Sequence, residues 1–243
     1  GLNLLSDGAG TQAAVEEFRR TQLLDPARTL LGADQEAWFA ETLASSKQRG
    51  QTWQVVAQQI AMGEQLVGAG AAAMVSPEAH ANVRRYVTVG ERLGRMHMPW
   101  NLDSWDGYPG ARTRVLASMR AAQGNAIVLT GDTHTAWANE INDPTGRVAV
   151  ELGTTSITSP SDSSYFEPFG IDFDGGVRAR NPHVKFNDSK DHGFLLLTLS
   201  HERATAEFFV VSTILSKDYD TTRVSAFTIA PEPGPGIGAL TSV

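Results

Sequence analysis

The chain has 243 residues, 41% of them hydrophobic and 19% charged, with a formal net charge of -7 and no cysteine. This balance fits a globular chain with a sizeable core and excludes a disordered one. The missing thiols exclude disulfides, thiolate zinc sites and a cysteine nucleophile within the chain, the acidic charge argues against gripping long nucleic acid through phosphates alone, and no apolar run approaches the roughly 20 residues of a membrane span. No secretory leader is visible around Gly1.

In chain order, the first 30 or so residues read as irregular, with a short helix around Ala13–Arg20. Asp34 is placed to cap a helix that buries Trp38, Phe39 and Leu43 and ends near Gly50. Trp53 to Ile60 reads as a strand, since Val and Ile suit a pleated surface. Residues 63–105 read as an excursion from a sheet, with a helix starting near Ser76-Pro77-Glu78 and Met96 and Met98 packing as in a lid. Pro109 suits the first position of a helix running to about Ala122. Ala126–Thr130 and Val148–Leu152 are short apolar runs, expected as strands buried on both faces. Residues 153–191 read mainly as loop. Gly193–Leu199 and Ala204–Val211 flank a polar turn and read as a hairpin. The Pro/Gly-rich 231–243 stretch reads as a tail or surface strap following a domain over 1–230.

Four places carry side chains suited to chemistry. Gly131-Asp132-Thr133-His134 follows a buried strand, where polar groups point into the crevice in which α/β proteins place ligands. A carboxylate and an imidazole two residues apart can serve one metal site or two adjacent ones. They can equally be a turn cap and a hydrogen-bonded histidine. Trp105-Asp106-Gly107-Tyr108 presents a carboxylate just before a helix, or is simply a helix-entry turn with Trp105 and Tyr108 as packing. His183 and His192 sit in loops ahead of the hairpin, at a pocket mouth or merely packed. Gln58 or Gln59 faces the same crevice or is a hydrogen-bonded core residue. Ser156 and Ser159 lack the Gly-x-Ser-x-Gly elbow of a serine hydrolase.

The ordered series Arg28-Thr29-Leu30-Leu31-Gly32, Trp53 to Met62, Trp105-Asp106-Gly107-Tyr108, Gly131-Asp132-Thr133-His134, Glu151 with Ser156-Ile157-Thr158-Ser159-Pro160, and Asn181-Pro182-His183-Val184-Lys185-Phe186 resembles the PhoD-like phosphatases, the alkaline phosphatase D family. The resemblance spans about Leu24 to Val211. It implies a mixed α/β fold, a metallophosphoesterase-like four-layer sandwich of two β-sheets flanked by helices, of which this chain is the C-terminal half. It implies hydrolysis of phosphate mono- or diesters by a metal-activated water. Asp132 and His134 are the implied catalytic and metal-binding residues, with Asp106 a further ligand or orienting group. His183 and Tyr108 are the implied substrate contacts. The implied cofactors are two or more metal ions, calcium and iron above manganese or zinc, and the implied location is secreted or periplasmic.

The chain departs from the wider superfamily in two ways. Asp132 replaces the first histidine of a Gly-His-x-His ligand motif, and a carboxylate is the harder ligand. Gly-Asp-x-x-Asp and Gly-Asn-His-[Asp/Glu] motifs are absent. An N-terminal half of the same protein, or a second chain, is therefore expected to complete the site around a small phosphate ester. The alternative is a non-catalytic binding module that keeps the fold.

Overall fold

The computed structural model describes residues 9–68, 71–75, 80–99, 101–161, 163 and 172–243. Two sheets organise the chain. The first has the order β1-β2-β4-β3-β5, built from Trp53–Ala57, Asn125–Thr130, Gly146–Gly153, Ala136–Asp143 and Val184–Asp188, where β1 to β5 number these strands in chain order. β1, β2 and β4 run parallel, while β3 is antiparallel to both β4 and β5. The second sheet has the order β6-β7-β8-β9, from Gly193–Leu199, Ala204–Val211, Thr221–Ile229 and Thr241–Ser242, and is antiparallel throughout.

Alternation along each strand divides the first sheet into two faces. Ala126, Val128 and Ala149 pack against Phe39 and Leu43 of α2 (Ala33–Gln48) and Val115, Leu116 and Met119 of the later helix Pro109–Ala122. Ile127, Val150 and Leu152 face Ala204, Ala206, Phe208, Phe227 and Ile229 of the second sheet. The parallel strands therefore lie between helices and a second sheet, the environment that continuous apolar runs require.

Among the described residues, further helices are α1 (Ala9–Phe18), α3 (Ala71–Met74), α4 (Ala81–Arg95), α5 (Pro109–Ala122) and α6 (Phe173–Arg180). α1 runs on as a π turn over Arg19–Leu23, so the N-terminal helical stretch is longer than the sequence suggests. Gly32, with φ 86°, caps α2, and Asp34 lies inside its first turn; the expected Asp34 cap is thus displaced by a residue that reaches positive φ without strain. α4 is capped by His80, whose Nδ1 accepts from Asn82 N at 3.2 Å. The expected helix start at Ser76-Pro77-Glu78 lies outside the described residues. Met98 is buried with Val15, Leu23 and Leu93. β1 stops at Ala57 and not at Ile60, because the Gln58 side chain bonds both backbone groups of Ile60 and ends the extended run.

Residues 153–191 are not loop alone. They contain α6, capped by Asp172 Oδ1 on Gly175 N at 2.9 Å, and β5. β3 was also unforeseen. Its Ala-Trp-Ala-Asn-Glu-Ile pattern is buried on both faces and shows neither clean alternation nor a continuous apolar run. Residues 231–243 fold back on the second sheet, burying Ile237 and Leu240 and pairing β9 with β8.

Candidate functional site

β1, β2, β4 and β5 point their C-terminal ends to one edge of the first sheet, where β3 begins. The segments 58–63, 131–135, 154–161 and 188–192 therefore meet there. Gly131 N donates to Gln59 O at 2.9 Å and Thr154 N to Thr130 O at 3.0 Å. Gln58 Oε1 accepts from Trp105 Nε1 at 3.2 Å, which ties the Trp105–Gly107 turn to the same edge. The Gln58 side chain thus organises this edge, while Gln59 contributes its backbone carbonyl.

The 131–135 loop is strained. Asp132 has φ 67° and His134 φ 54°, a region that side-chain-bearing residues rarely adopt. Thr133 N donates to Gly131 O at 2.7 Å, so Asp132 is the centre of a γ-turn of the rare positive-φ form. Such conformations cost of order 1–3 kcal/mol and persist where surrounding structure imposes them. Among the described residues the exposed Asp132 carboxylate accepts no hydrogen bond, so it caps nothing there.

His134 is held from outside its own loop. Its Nδ1 lies 2.9 Å from Pro160 O. A carbonyl can only accept, so Nδ1 carries the hydrogen and Nε2 keeps its lone pair. The His134 backbone carbonyl accepts from Thr155 Oγ1 at 3.1 Å, and the same hydroxyl lies 2.8 Å from Asp191 O. His192 Nε2 donates to Ser159 O at 2.8 Å, beside Ser156 Oγ at 2.7 Å from that carbonyl. The 154–161 loop is therefore pinned between His134 and His192. Ser156 Oγ donates within the loop.

Asp106 and His183 belong to a second polar cluster, around a strap over residues 61–66. Asp106 Oδ2 accepts from Gln65 N at 2.8 Å, and burial pushes its carboxyl up to about 7, opposed by that N–H and by the Arg112 charge. His183 Nε2 donates to Glu64 O at 2.8 Å, and burial lowers its pKa. Arg112 Nε donates to Met62 O at 2.8 Å. Asn181 bonds both backbone groups of Leu66, at 3.0 and 2.9 Å.

Glu151 anchors the start of the strap. Fully buried on β4, it accepts from Met62 N at 2.5 Å, Gly63 N at 2.8 Å and Asn139 Nδ2 at 2.7 Å. Gly63 is required there: a Cβ would sit 2.7 Å from Asn139 Nδ2 and 2.9 Å from Glu151 Oε2. Sequence reading singled out Glu151 without assigning it a task; a lone acid inside an apolar strand was the available signal. Tyr108 packs on the helix-side core with the Arg28 guanidinium 4.5 Å from its ring centre.

The structure thus puts Asp132 and His134 on one strained loop, and bonds Asp106 and His183 to the 61–66 strap. Among the described residues no group of three or more His, Asp or Glu side chains could hold a metal ion. Asp132 and His134 are suitable donors, but they are a partial set.

The sequence pattern of the PhoD-like phosphatases matches residues 8–208. The chain belongs to that family. A PhoD-like relative, alkaline phosphatase D of Bacillus subtilis (strain 168), is 30% identical over 194 residues, which is 77% of this chain and 27% of that protein. A solved structure described as PhoD superposes with a TM-score of 0.63 at 24% identity, covering 90% of this chain and 36% of that one. The two-sheet architecture is therefore the PhoD fold, and this chain spans about a third or less of these relatives.

Proposed function

We propose that this PhoD-like chain contributes to metal-dependent hydrolysis of phosphate mono- or diesters, supplying Asp132 and His134 as donors. The observation that carries the reading is the His134–Pro160 bond: it fixes the ring with Nε2 as the lone-pair nitrogen, two residues past an uncapped carboxylate. Family membership supports phosphoester chemistry in general. A bound metal would supply positive charge against phosphoryl oxygens and acidify a bound water. His134 would present Nε2, steadied by a carbonyl on its other nitrogen as metal-binding histidines usually are. Asp132 would add a hard oxygen donor, which suits calcium or iron above manganese or zinc. Thr155 and His192 would keep the loops from moving. Asp106 acts through the strap, and His183 and Tyr108 stand as substrate contacts on the resemblance alone. The remaining donors would come from an N-terminal half of the protein or a second chain. Secretion or a periplasmic location follows from the same resemblance; no described helix is long and apolar enough to cross a membrane.

The second reading, a non-catalytic module, is favoured by the absence of a three-residue donor group among the described residues. Elemental analysis of the protein with its complementing part, together with turnover of a chromogenic phosphate ester, separates the two. Bound metal and turnover that both fall in His134→Ala support the enzyme. Absent metal and turnover support the module.

A further inference from the structure

The 154–161 loop is built mostly of hydroxyl side chains. Six of its eight residues are serine or threonine, one is Pro160, and Ile157 alone carries a large apolar side chain. The hydroxyls fasten the loop. Thr155 Oγ1 lies 3.1 Å from His134 O and 2.8 Å from Asp191 O, and Ser156 Oγ donates to Ser159 O at 2.7 Å, across Ile157. At the far end Ser159 O accepts from His192 Nε2 at 2.8 Å and Pro160 O from His134 Nδ1 at 2.9 Å. His134 therefore touches both ends of the segment 155–160, with its backbone carbonyl at Thr155 and its ring at Pro160.

Ile157 stands in the middle of this segment and is 78% exposed. A single exposed apolar side chain is ordinary on a protein surface and by itself needs no explanation. Its position is what distinguishes this one. Two residues of chain reach at most about 7 Å, so Ile157 lies near Thr155 and hence near the His134 carbonyl that Thr155 holds. Side-chain bonds fix the loop at both ends, so a group that packs on Ile157 does not have to order the chain first. Isoleucine is also stiff at χ1, which limits the directions in which its branches point.

We propose that Ile157 is a specificity residue, an apolar wall against the organic group of the phosphate ester. The proposal rests on the reading that Asp132 and His134 serve phosphoester hydrolysis. The mouth of the site then joins two chemistries. The exposed Asp132 carboxylate and His134 Nε2 serve the phosphoryl end, and Ile157 meets the carbon skeleton attached to it. The substrate class that uses both is an ester of an aryl or other bulky apolar alcohol. An ester of a small polyol keeps its hydroxyls in water and gains nothing from Ile157. Removing water from one face of a side chain of this size favours the apolar ester by about fivefold or more.

The test compares para-nitrophenyl phosphate with glycerol phosphate as substrates of the protein with its complementing part, in wild type, Ile157→Ser and Ile157→Leu. Ile157→Ser should lower kcat/KM for the aryl ester by about fivefold or more and leave that for the glycerol ester within about twofold. Ile157→Leu should restore most of the loss. Calorimetric titration gives a readout apart from turnover: in Ile157→Ser the affinity for phenylphosphonate should fall by a similar factor, and that for inorganic phosphate should stay unchanged. An equal fall for both esters would overturn the proposal; with a lowered melting temperature it would place Ile157 beneath the complementing part. No change for either ester would overturn it too. These outcomes leave the catalytic reading standing. A wild type that turns over neither ester defeats that reading, and the role of Ile157 falls with it.

Discussion

His134 Nδ1 donates to Pro160 O at 2.9 Å, so a residue of the β2–β3 loop depends for its ring orientation on the loop after β4. The two loops are 26 residues apart in sequence and adjacent because β2 and β4 are neighbours in the sheet. This bond separates the histidine's two tasks, and substitution can test each.

His134→Asn keeps a side-chain N–H near the Nδ1 position but has no counterpart of Nε2. Its melting temperature should stay close to wild type. Phosphoesterase turnover of the complemented protein should fall by more than the roughly 10–100-fold typical of losing an outer-shell partner. His134→Ala should add a stability loss of about 1 kcal/mol from the missing bond. Full turnover in His134→Asn would remove Nε2 from the mechanism.

Asp132 stores strain at φ 67°. Asp132→Gly relieves it and Asp132→Ala does not, so the glycine variant should be the more stable of the two by about 1 kcal/mol in urea denaturation. Both should lose metal and turnover. A fold that gains stability while losing function is the pattern expected where strain serves the site. Equal stability of the two variants would mean the γ-turn does not persist in solution.

Glu151 is a buried acceptor for two backbone N–H groups and one amide. Glu151→Ala leaves these donors unsatisfied, and each costs about 1–3 kcal/mol. A loss of about 3 kcal/mol or more is expected. Glu151→Gln should lose less, because one oxygen remains while its NH₂ opposes a donor. Faster amide exchange at Met62 and Gly63 in either variant, beyond that elsewhere, would locate the damage at the strap.

Asp143 and Arg120 form a two-point ion pair, with Nε–Oδ2 at 2.5 Å and Nη2–Oδ1 at 2.7 Å. The Arg120 hydrogen bonds hold the Asp143 carboxyl down to about 2, below its ordinary 3.8. A depressed carboxylate stabilises the fold above its unfolded pKa and loses that contribution as pH falls through the folded value. Wild type should therefore exceed Asp143→Asn in stability by about 1 kcal/mol at neutral pH, an amount reduced by solvent screening. The difference should shrink between about pH 4 and 2. A difference independent of pH would show that the contribution is not ionic.

Elements with a local pattern are legible in the chain before it folds. The apolar runs at Ala126–Thr130 and Val148–Leu152 can only be strands covered on both faces. Pro109 sets the start of α5, and the polar turn after Leu199 joins β6 to β7. Family membership was legible because the Trp105, Asp132–His134 and Asn181–Phe186 segments keep their order. The partners of the polar residues, by contrast, are set in the folded chain. β3 and β5 carry mixed patterns because their polar residues bond to partners outside their own strands, such as Asn139 Nδ2 to Glu151 and Asn187 Nδ2 to Asp174. Gly32 over Asp34 as a cap is a matter of backbone angle, which composition does not encode. Asp106 and His183 bond to the strap through Gln65 N and Glu64 O, partners that the sequence does not reveal. Hydrogen-bond partners are assigned by proximity in the folded chain. A carboxylate or imidazole read from sequence alone therefore reveals its chemistry but not the group it meets.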